Sequence, residues 1–568
     1  MITRSVSSAS LAVALAAATL SAQTTLQINT GAAAGDQLGR SCTVIGDLDG
    51  DGQAELAFGA PYASVNGTSS GSIRVTNGRT GALLYAFHGL AAGDRLGESV
   101  ASAGDVDGDG YPDIVGGAPL HDQNGTNSGM ARVWSGRTGA VLYTWYGDQA
   151  GDWFGLSVDG AGDTNGDGRA DVIVGAPYGK GSNTANVGEA RIFSGLNGSV
   201  LRTFNSPSGV SVLGYSVSAA GDVNKDGKAD VIVGAPQTTN TQQDQGRAYI
   251  YSGATGATLY TFQGATAGEY FGNSVDGGRD VNNDGWPDVI VGSPNADYAG
   301  GNSGSVFVYS GRTGAQLYNL KGTASNDEMG RVCALAGDVD GDGWADVIGG
   351  ARMKDQSVQN AGMARVWSGR TGATLFSVYG TLTDEQLGFS VGGGKDVNGD
   401  GLDDFIVGWP TFDTNNSNLD TGRVRVWSGT PLPITSYCTA GTSTSGCTAT
   451  ITTTGSPSLS STAAFTLRAN NVVNQKTGFL FYGRHGQAVP FGSGFLCVEP
   501  GYVRTPIQST AGNATGTSCT GFLSVDLNQW LRQGNDPAVT AGSTLFCQFY
   551  YRDVNASFSN AVYFTVAP

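Results

Sequence analysis

DLDGDGQAE (47–55), DVDGDGYPD (105–113), DTNGDGRAD (163–171), DVNKDGKAD (222–230), DVNNDGWPD (280–288), DVDGDGWAD (338–346) and DVNGDGLDD (396–404) are seven versions of one nonapeptide. Successive copies begin 58 residues apart, and 59 once. A period of that length marks a repeat architecture. Ahead of each copy runs a Gly-led strand such as LGESV (96–100) or FGLSV (154–158). Behind it runs a short apolar strand ending in Gly-Ala-Pro or a variant, as at Pro61, Pro177 and Pro236. A polar loop follows, then a strand such as ARVWSG (131–136), a turn such as RTGA, and a last strand such as VLYTW (141–145). Four short strands on hairpin-length turns, with no room for a helix, describe one blade of a β-propeller, and seven blades are an ordinary number. The seventh copy lacks its fourth strand, because Pro431 and Pro433 follow Gly429. Thr25–Asn29, one period ahead of Leu83–Phe87, is the strand predicted to close the ring.

Composition agrees. Of 568 residues 90 are Gly, and only 14% are charged, which excludes a helical bundle or coiled coil. The glycines have no three-residue period, so the chain is not collagen-like, and 39% apolar residues exclude a disordered chain. A formal charge of −17 argues against nucleic acid and anionic membrane as partners. The expected fold is all-β: a seven-bladed propeller over 23–430, followed by a small β-sandwich over 431–568. Residues 1–22 read as a secretory signal peptide. Arg4 is their one charge, Leu11–Leu20 is apolar, and cleavage is expected near Ala22. No later stretch approaches eighteen apolar residues, so membrane insertion is not expected and the product is secreted or held at the cell surface.

The nonapeptide is built to hold a hard cation. Calcium takes six to eight oxygens, with carboxylates supplying charge. Positions 1, 3, 5 and 9 offer Asp47, Asp49, Asp51 and Glu55 in the first copy, and Asp105, Asp107, Asp109 and Asp113 in the second. The third offers Asp163, Asn165, Asp167 and Asp171; the fourth, Asp222, Asn224, Asp226 and Asp230; the fifth, Asp280, Asn282, Asp284 and Asp288. The sixth has Asp338, Asp340, Asp342 and Asp346, and the seventh Asp396, Asn398, Asp400 and Asp404. Position 7 varies (Gln53, Tyr111, Arg169, Lys228, Trp286, Trp344, Leu402), as expected if it coordinates through its carbonyl. Position 6 is always Gly, suiting a sharp turn. An EF-hand would need helices and a Glu at position 12, and neither is present. These ligand positions hold 24 of the 48 acidic residues, so the net charge is largely a property of the loops. About seven Ca²⁺ per chain are expected.

The Phe-Gly and Gly-Ala-Pro pairs that bracket a DxDxDGxxD loop resemble the FG-GAP repeats of integrin alpha-chain propellers. The resemblance covers roughly residues 25–430. It implies a seven-bladed propeller, calcium in the loops and ligand binding on the opposite face. The chain departs from integrins in that neither a transmembrane helix nor leg domains are expected from this sequence, and in carrying the acidic loop in every blade.

The tail is Ser/Thr-rich, with strand-like runs ATITTT, AFTLRA, GFLFYG, LFCQFYY and AVYFTV. Its outline is similar to C-terminal modules of large secreted bacterial proteins. It holds five of the seven Cys, for which Cys438 with Cys447 and Cys497 with Cys519 are nearest-neighbour pairings among fifteen. Cys42 and Cys333 fall where other blades have Val, so buried thiols are expected. His88, His121 and His485 are scattered and read as surface residues, and no nucleophile or phosphate-binding motif is present. Acids three residues ahead of the Gly in six blades (Asp36, Asp94, Asp152, Glu269, Asp327, Glu385) read as a structural turn. The leading functional reading is an adhesion or ligand-binding protein with an extracellular glycan or protein partner. A polysaccharide lyase or hydrolase, a subunit of one, and a surface-coat component are the alternatives. The loops after Gly-Ala-Pro vary most, and Tyr62, Tyr178, Tyr298 and Phe412 are their candidate stacking platforms.

Overall fold

The computed structural model describes residues 24–429 except 180–186, 207–210, 240–241, 357 and 414–418. Beyond 429 it describes 435–438, 447–454, 457–458, 464–472, 477–483, 486–491, 494–498, 503–509, 521–537, 539, 543–552 and 556–565. The expected signal peptide and His485 lie outside these residues. Seven antiparallel sheets of four strands follow one another along the chain. In the second blade the strands are Ser99–Gly104, Asp113–Ala118, Met130–Trp134 and Val141–Tyr146. The first strand of each blade touches the first strands of both neighbours, and Ser41–Gly46 touches Ser390–Lys395, so seven inner strands form a closed ring around the axis. Closure uses the surplus strand: Thr25–Thr30 pairs antiparallel with Arg423–Trp427 and completes the seventh blade.

The second strand of each blade is buried along its whole length, because both faces of its sheet are covered by neighbouring blades. Continuous apolar runs such as DVIVGA therefore replace the alternation of a half-exposed strand. What lets the blades approach so closely is a contact between glycines. A Cβ on Gly117 would lie 1.8 Å from the carbonyl oxygen of Gly155 in the next blade; Gly175 would meet Gly214 at 2.0 Å and Gly234 would meet Gly272 at 2.1 Å. Within a blade the same partners are hydrogen-bonded, with Gly155 N–H donating to Gly175 O and Gly214 N–H to Gly234 O. The circuit runs round to Gly408, which faces the carbonyl of Gly39.

Farther out, aromatic pairs fill the wedge between blades. Phe87 stacks on Trp134, Trp145 on Phe193, Phe204 on Tyr251 and Phe262 on Tyr309, at 4.1–4.5 Å between ring centroids. Such pairs contribute about 0.5–1.5 kcal/mol beyond burial. The seam where the ring closes differs. Asn29 and Thr76 hold the positions of Phe87 and Trp134, and a cavity of about 600 Å³ opens beside them.

The tail forms a sheet of Thr435–Cys438, Ala556–Thr565, Thr544–Arg552, Thr477–Gly483 and Val503–Arg504, with Gln508–Ser509 beside it, and a second sheet of Thr450–Thr454, Thr466–Val472 and Gly521–Asp526. Leu467, Leu523, Leu480, Leu545 and Phe549 join the two in one core. A six-residue helix, Leu527–Arg532, departs from the expected all-strand tail. Asp526 starts it by accepting the Gln529 N–H, and Leu527 and Leu531 are buried. Cys547 is a free buried thiol, as are Cys42 and Cys333; Cys447 is disulfide-bonded. The side chains of Cys438, Cys497 and Cys519 lie outside the described residues, so the two expected pairings do as well.

Gly175→Ala is expected to lower stability by about 1–3 kcal/mol, since backbone rather than a movable side chain stands in the way. Gly301 has negative φ and nothing within 4 Å of its would-be Cβ, so Gly301→Ala should be neutral or slightly stabilising. Thermal melts of the two variants check this; equal midpoints would refute the inter-blade contact as a constraint.

Candidate metal centres

Each acidic loop is held open by its own backbone. The N–H of position 6 donates to the position-1 carboxylate in all seven blades, at 2.7–2.9 Å. The N–H of position 7 donates to the position-5 carboxylate at 2.9–3.0 Å. Both turns require left-handed backbone. The position-6 glycines have φ of +84 to +90, and position 4 is left-handed too, with Lys225 (φ 59) and Asn283 (φ 55) standing where five blades have Gly. Position 7 is less free than its variability suggests. Arg137, Arg312 and Arg370 from the RTG turns lie 5.0, 4.5 and 4.5 Å above the Tyr111, Trp286 and Trp344 rings.

Position 9 ties the loop to the sheet. In blade 2, Asp113 accepts Val106 N–H through Oδ2 at 2.8 Å and Gly136 N–H through Oδ1 at 2.9 Å, and the pattern repeats at Asp171, Asp230, Asp288, Asp346 and Asp404. Neighbouring loops are also linked. The position-8 N–H donates to the position-1 carbonyl of the preceding blade, as in Ala170 to Asp105, Ala229 to Asp163 and Ala54 to Asp396. Pro112 and Pro287 have no N–H to give, so those two links are absent.

The three copies with Asp at position 3 bring carboxylate oxygens within 4.8 Å of one another: Asp47, Asp49 and Glu55; Asp105, Asp107 and Asp113; Asp338, Asp340 and Asp346. In the other copies Asn takes that place, and Asn165 and Asn398 donate to Asp167 and Asp400 at 2.9 and 3.0 Å. The first blade has a further amide, Asn77, reaching Asp49, Asp51 and Glu55 at 2.8–3.3 Å from where most blades have Ser. Burial pushes Asp113, Asp230 and Asp288 up to about 6 and Glu55 and Asp404 to about 7, with nearby carboxylates adding to the effect in each. The sixth loop is the extreme. Asp340, Asp342 and Asp346 are at most 1% exposed, and Asp340 Oδ2 is buried with no hydrogen-bond partner. Desolvation and mutual repulsion hold Asp340 and Asp346 well above the usual carboxylate range. A donor set made only of oxygens, crowded and short of positive charge, fits a hard dication.

Among the proposed platforms, Tyr62 lies beneath Arg95 at 4.6 Å, Tyr178 meets Trp153 edge-on at 5.0 Å, and Tyr298 is 43% exposed. Phe412 is corrected: it is buried beneath Arg423 at 3.5 Å and packs on Trp409, so it offers no open face. His121 is corrected as well. It is buried, its Nδ1 3.0 Å from Asp94 Oδ1. The six recurrent acids cap turns as expected; Asp94, for instance, accepts Leu90 and Ala91 N–H, each at 2.8 Å.

Sequence pattern missed one constellation. Asp159, Ser218 and Asp276 stand on three successive inner strands, and Ser218 Oγ lies 2.6 Å from Asp159 Oδ2 and 2.9 Å from Asp276 Oδ1. A hydroxyl carries one hydrogen, so one of the two contacts needs a proton on a carboxyl. Burial, then the Asp276 charge, pushes Asp159 up to about 7. The available signal was a departure from the repeat: Asp replaces the Ala, Ser or Gly of most inner strands only at these two positions.

Six segments, 43–75, 96–134, 154–193, 213–251, 271–309 and 387–427, match the FG-GAP repeat model. Integrin alpha-V of Gallus gallus is 32% identical over 218 residues, covering 36% of this chain and 20% of that protein. Integrin alpha-5 of Xenopus laevis is 29% identical over 242 residues, 39% of this chain and 22% of the relative. Integrin alpha pat-2 of Caenorhabditis elegans is 33% identical over 229 residues, 35% and 18% respectively. The chain spans about a fifth of the length of these curated relatives. It carries FG-GAP repeats, and its propeller resembles that of integrin alpha chains. Among the described residues no helix is long and apolar enough to cross a membrane.

The Asp159 pair makes a pH prediction. The folded chain holds a proton that the unfolded chain releases near 3.8, so stability falls as pH rises from about 4 to about 7. Asp159→Asn should flatten that slope and leave the midpoint at pH 8 at or above that of the parent. Melts are run in saturating calcium to keep the loop carboxylates ionised; an unchanged slope refutes the shared proton.

Proposed function

We propose that the seven loops bind calcium, about one ion each, and that the stiffened ring binds an extracellular glycan or protein ligand on its opposite face. In each loop the oxygens of positions 1, 3, 5 and 9 and the position-7 carbonyl would hold the ion. Bound calcium supplies the positive charge the loop lacks. The observation carrying this reading is the sixth loop, where buried carboxylates converge and Asp340 Oδ2 has no partner. The strand order supports the second half. In the first six blades the acidic loop and the turn between the third and fourth strands share one end, while the loop after Gly-Ala-Pro and the entry to the next inner strand share the other. Bonds such as Leu96 N–H to Ser70 O knit those second loops together, making a rigid base for variable side chains. The signal-like N-terminus and the likeness to integrin alpha chains support secretion or display at the cell surface.

The alternative, an enzyme acting on polysaccharide, has the Asp159 and Asp276 pair in its favour. Loss of lyase or hydrolase activity in Asp159→Asn, with calcium content unchanged, would favour it over the binding reading.

At about 1 mM calcium and a Kd near 0.1 mM, each site contributes about 1.4 kcal/mol, so chelation should lower the melting midpoint sharply. Native mass spectrometry should count about seven ions, and Asp342→Ala should remove about one. A melt indifferent to chelator, or an unchanged ion count, defeats the calcium half. A glycan and protein array probed with and without calcium tests the ligand half. Binding that survives chelation, or no binding at all, counts against it, and Tyr62→Ala or Tyr178→Ala should weaken any ligand held by the outer loops.

A further inference from the structure

The residue after the Gly that opens each inner strand stands at the mouth of the central channel, on the face away from the acidic loops. Arg40, Glu98, Tyr215, Asn273, Arg331 and Phe389 hold that register, and with Arg352 they line a depression of about 260 Å³. Arg352 breaks the repeat. Its position is Pro in every other blade (Pro61, Pro119, Pro177, Pro236, Pro294 and Pro410), so a rigid turn residue has been exchanged for a cation reaching the mouth.

Three guanidiniums therefore meet two carboxylates in an otherwise acidic chain. Arg40 lies 4.6 Å and Arg352 5.3 Å from the Phe389 ring centroid. Arg352 Nε reaches Glu328 Oε2 at 3.3 Å, and its terminal amino groups have no partner among the described residues. Arg331 makes a loose contact with the same oxygen at 3.8 Å. Arg40 spends both of its contacts on Glu98 Oε1, at 2.8 and 2.9 Å, which leaves Glu98 Oε2 buried with no hydrogen-bond partner. The Asn273 amide is fixed by the Arg331 carbonyl at 2.8 Å. Burial and the neighbouring Arg331 and Arg40 charges press Arg352 below its ordinary pKa, so the cluster is short of negative charge.

We propose that this mouth binds the carboxylate of an acidic sugar, with Arg331 and Arg352 on the carboxylate and Tyr215 giving the ring an apolar wall. Guanidinium forks match carboxylates in shape and charge. The site rests on the ligand-binding reading above. It places the ligand at the axis rather than on the outer loops.

A hyaluronan tetrasaccharide and the neutral chitotetraose serve as probes, titrated calorimetrically into the full chain in calcium buffer. The acidic probe should bind, more weakly as salt rises, and the neutral one should bind roughly tenfold weaker or not at all. Arg331→Gln and Arg352→Gln should each weaken the acidic probe by roughly tenfold or more, with melting midpoint and ion count unchanged. Arg352→Pro restores the residue of the other six blades, so it should fold normally and lose the same affinity. Equal binding of the two probes, or variants that bind like the parent, overturns the site. If neither probe binds but the array finds a ligand, the acidic-sugar site fails and the ligand-binding reading stands. If nothing binds in either experiment, both fail.

Discussion

Neighbouring blades meet through the Gly of one Gly-Ala-Pro segment and the carbonyl of the Gly that opens the next blade's inner strand. At Gly117 and Gly155 a methyl group in the contact would lie 1.8 Å from oxygen. Because the same glycines are hydrogen-bonded within each blade, the contact passes around the ring from sheet to sheet. This spacing makes the second strands buried along their length, and their apolar runs follow from it. It also fixes the channel radius, and so which inner-strand side chains face one another across it.

Once the blades are packed so closely, the acidic loops come to lie side by side at one end of the disc. Backbone N–H groups hold their carboxylates inward, and the position-8 links join loop to loop wherever Pro does not intervene. The arrangement is electrostatically unbalanced by itself. Carboxylates within 4.8 Å, some without any exposure, raise one another's proton affinity, and the amide of Asn77 in the first blade offsets this only in part. Backbone order that converges so much negative charge leaves loops whose oxygens could hold a hard cation.

Single blades break the pattern that the ring repeats. Arg352 takes the place of a turn proline, Asp159 and Asp276 take the place of small residues, and Asn29 and Thr76 leave an aromatic wedge unfilled at the seam. A symmetric ring of identical blades would offer seven equal and weak surfaces. Local departures give one direction around the axis a chemistry of its own, and the mouth acquires its positive charge in that way.

The repeat by itself determined the blade number, the four strands per blade, the closing strand at Thr25–Thr30 and the loop positions fit for a metal. Each of these follows from local spacing: turns, alternation and the order of acids within nine residues are properties of a short stretch of chain. The role of the six capping acids was legible for the same reason. Other features belong to contacts between residues far apart in sequence. The meeting of Asp159, Ser218 and Asp276 needed three inner strands side by side, and the burial of Phe412 beneath Arg423 and of His121 against Asp94 needed their loops folded back over the blade. The convergence of Arg40, Arg331 and Arg352 was likewise hidden, since blades 1 and 6 are separated by nearly the whole propeller in sequence and brought to a common axis only when the ring closes.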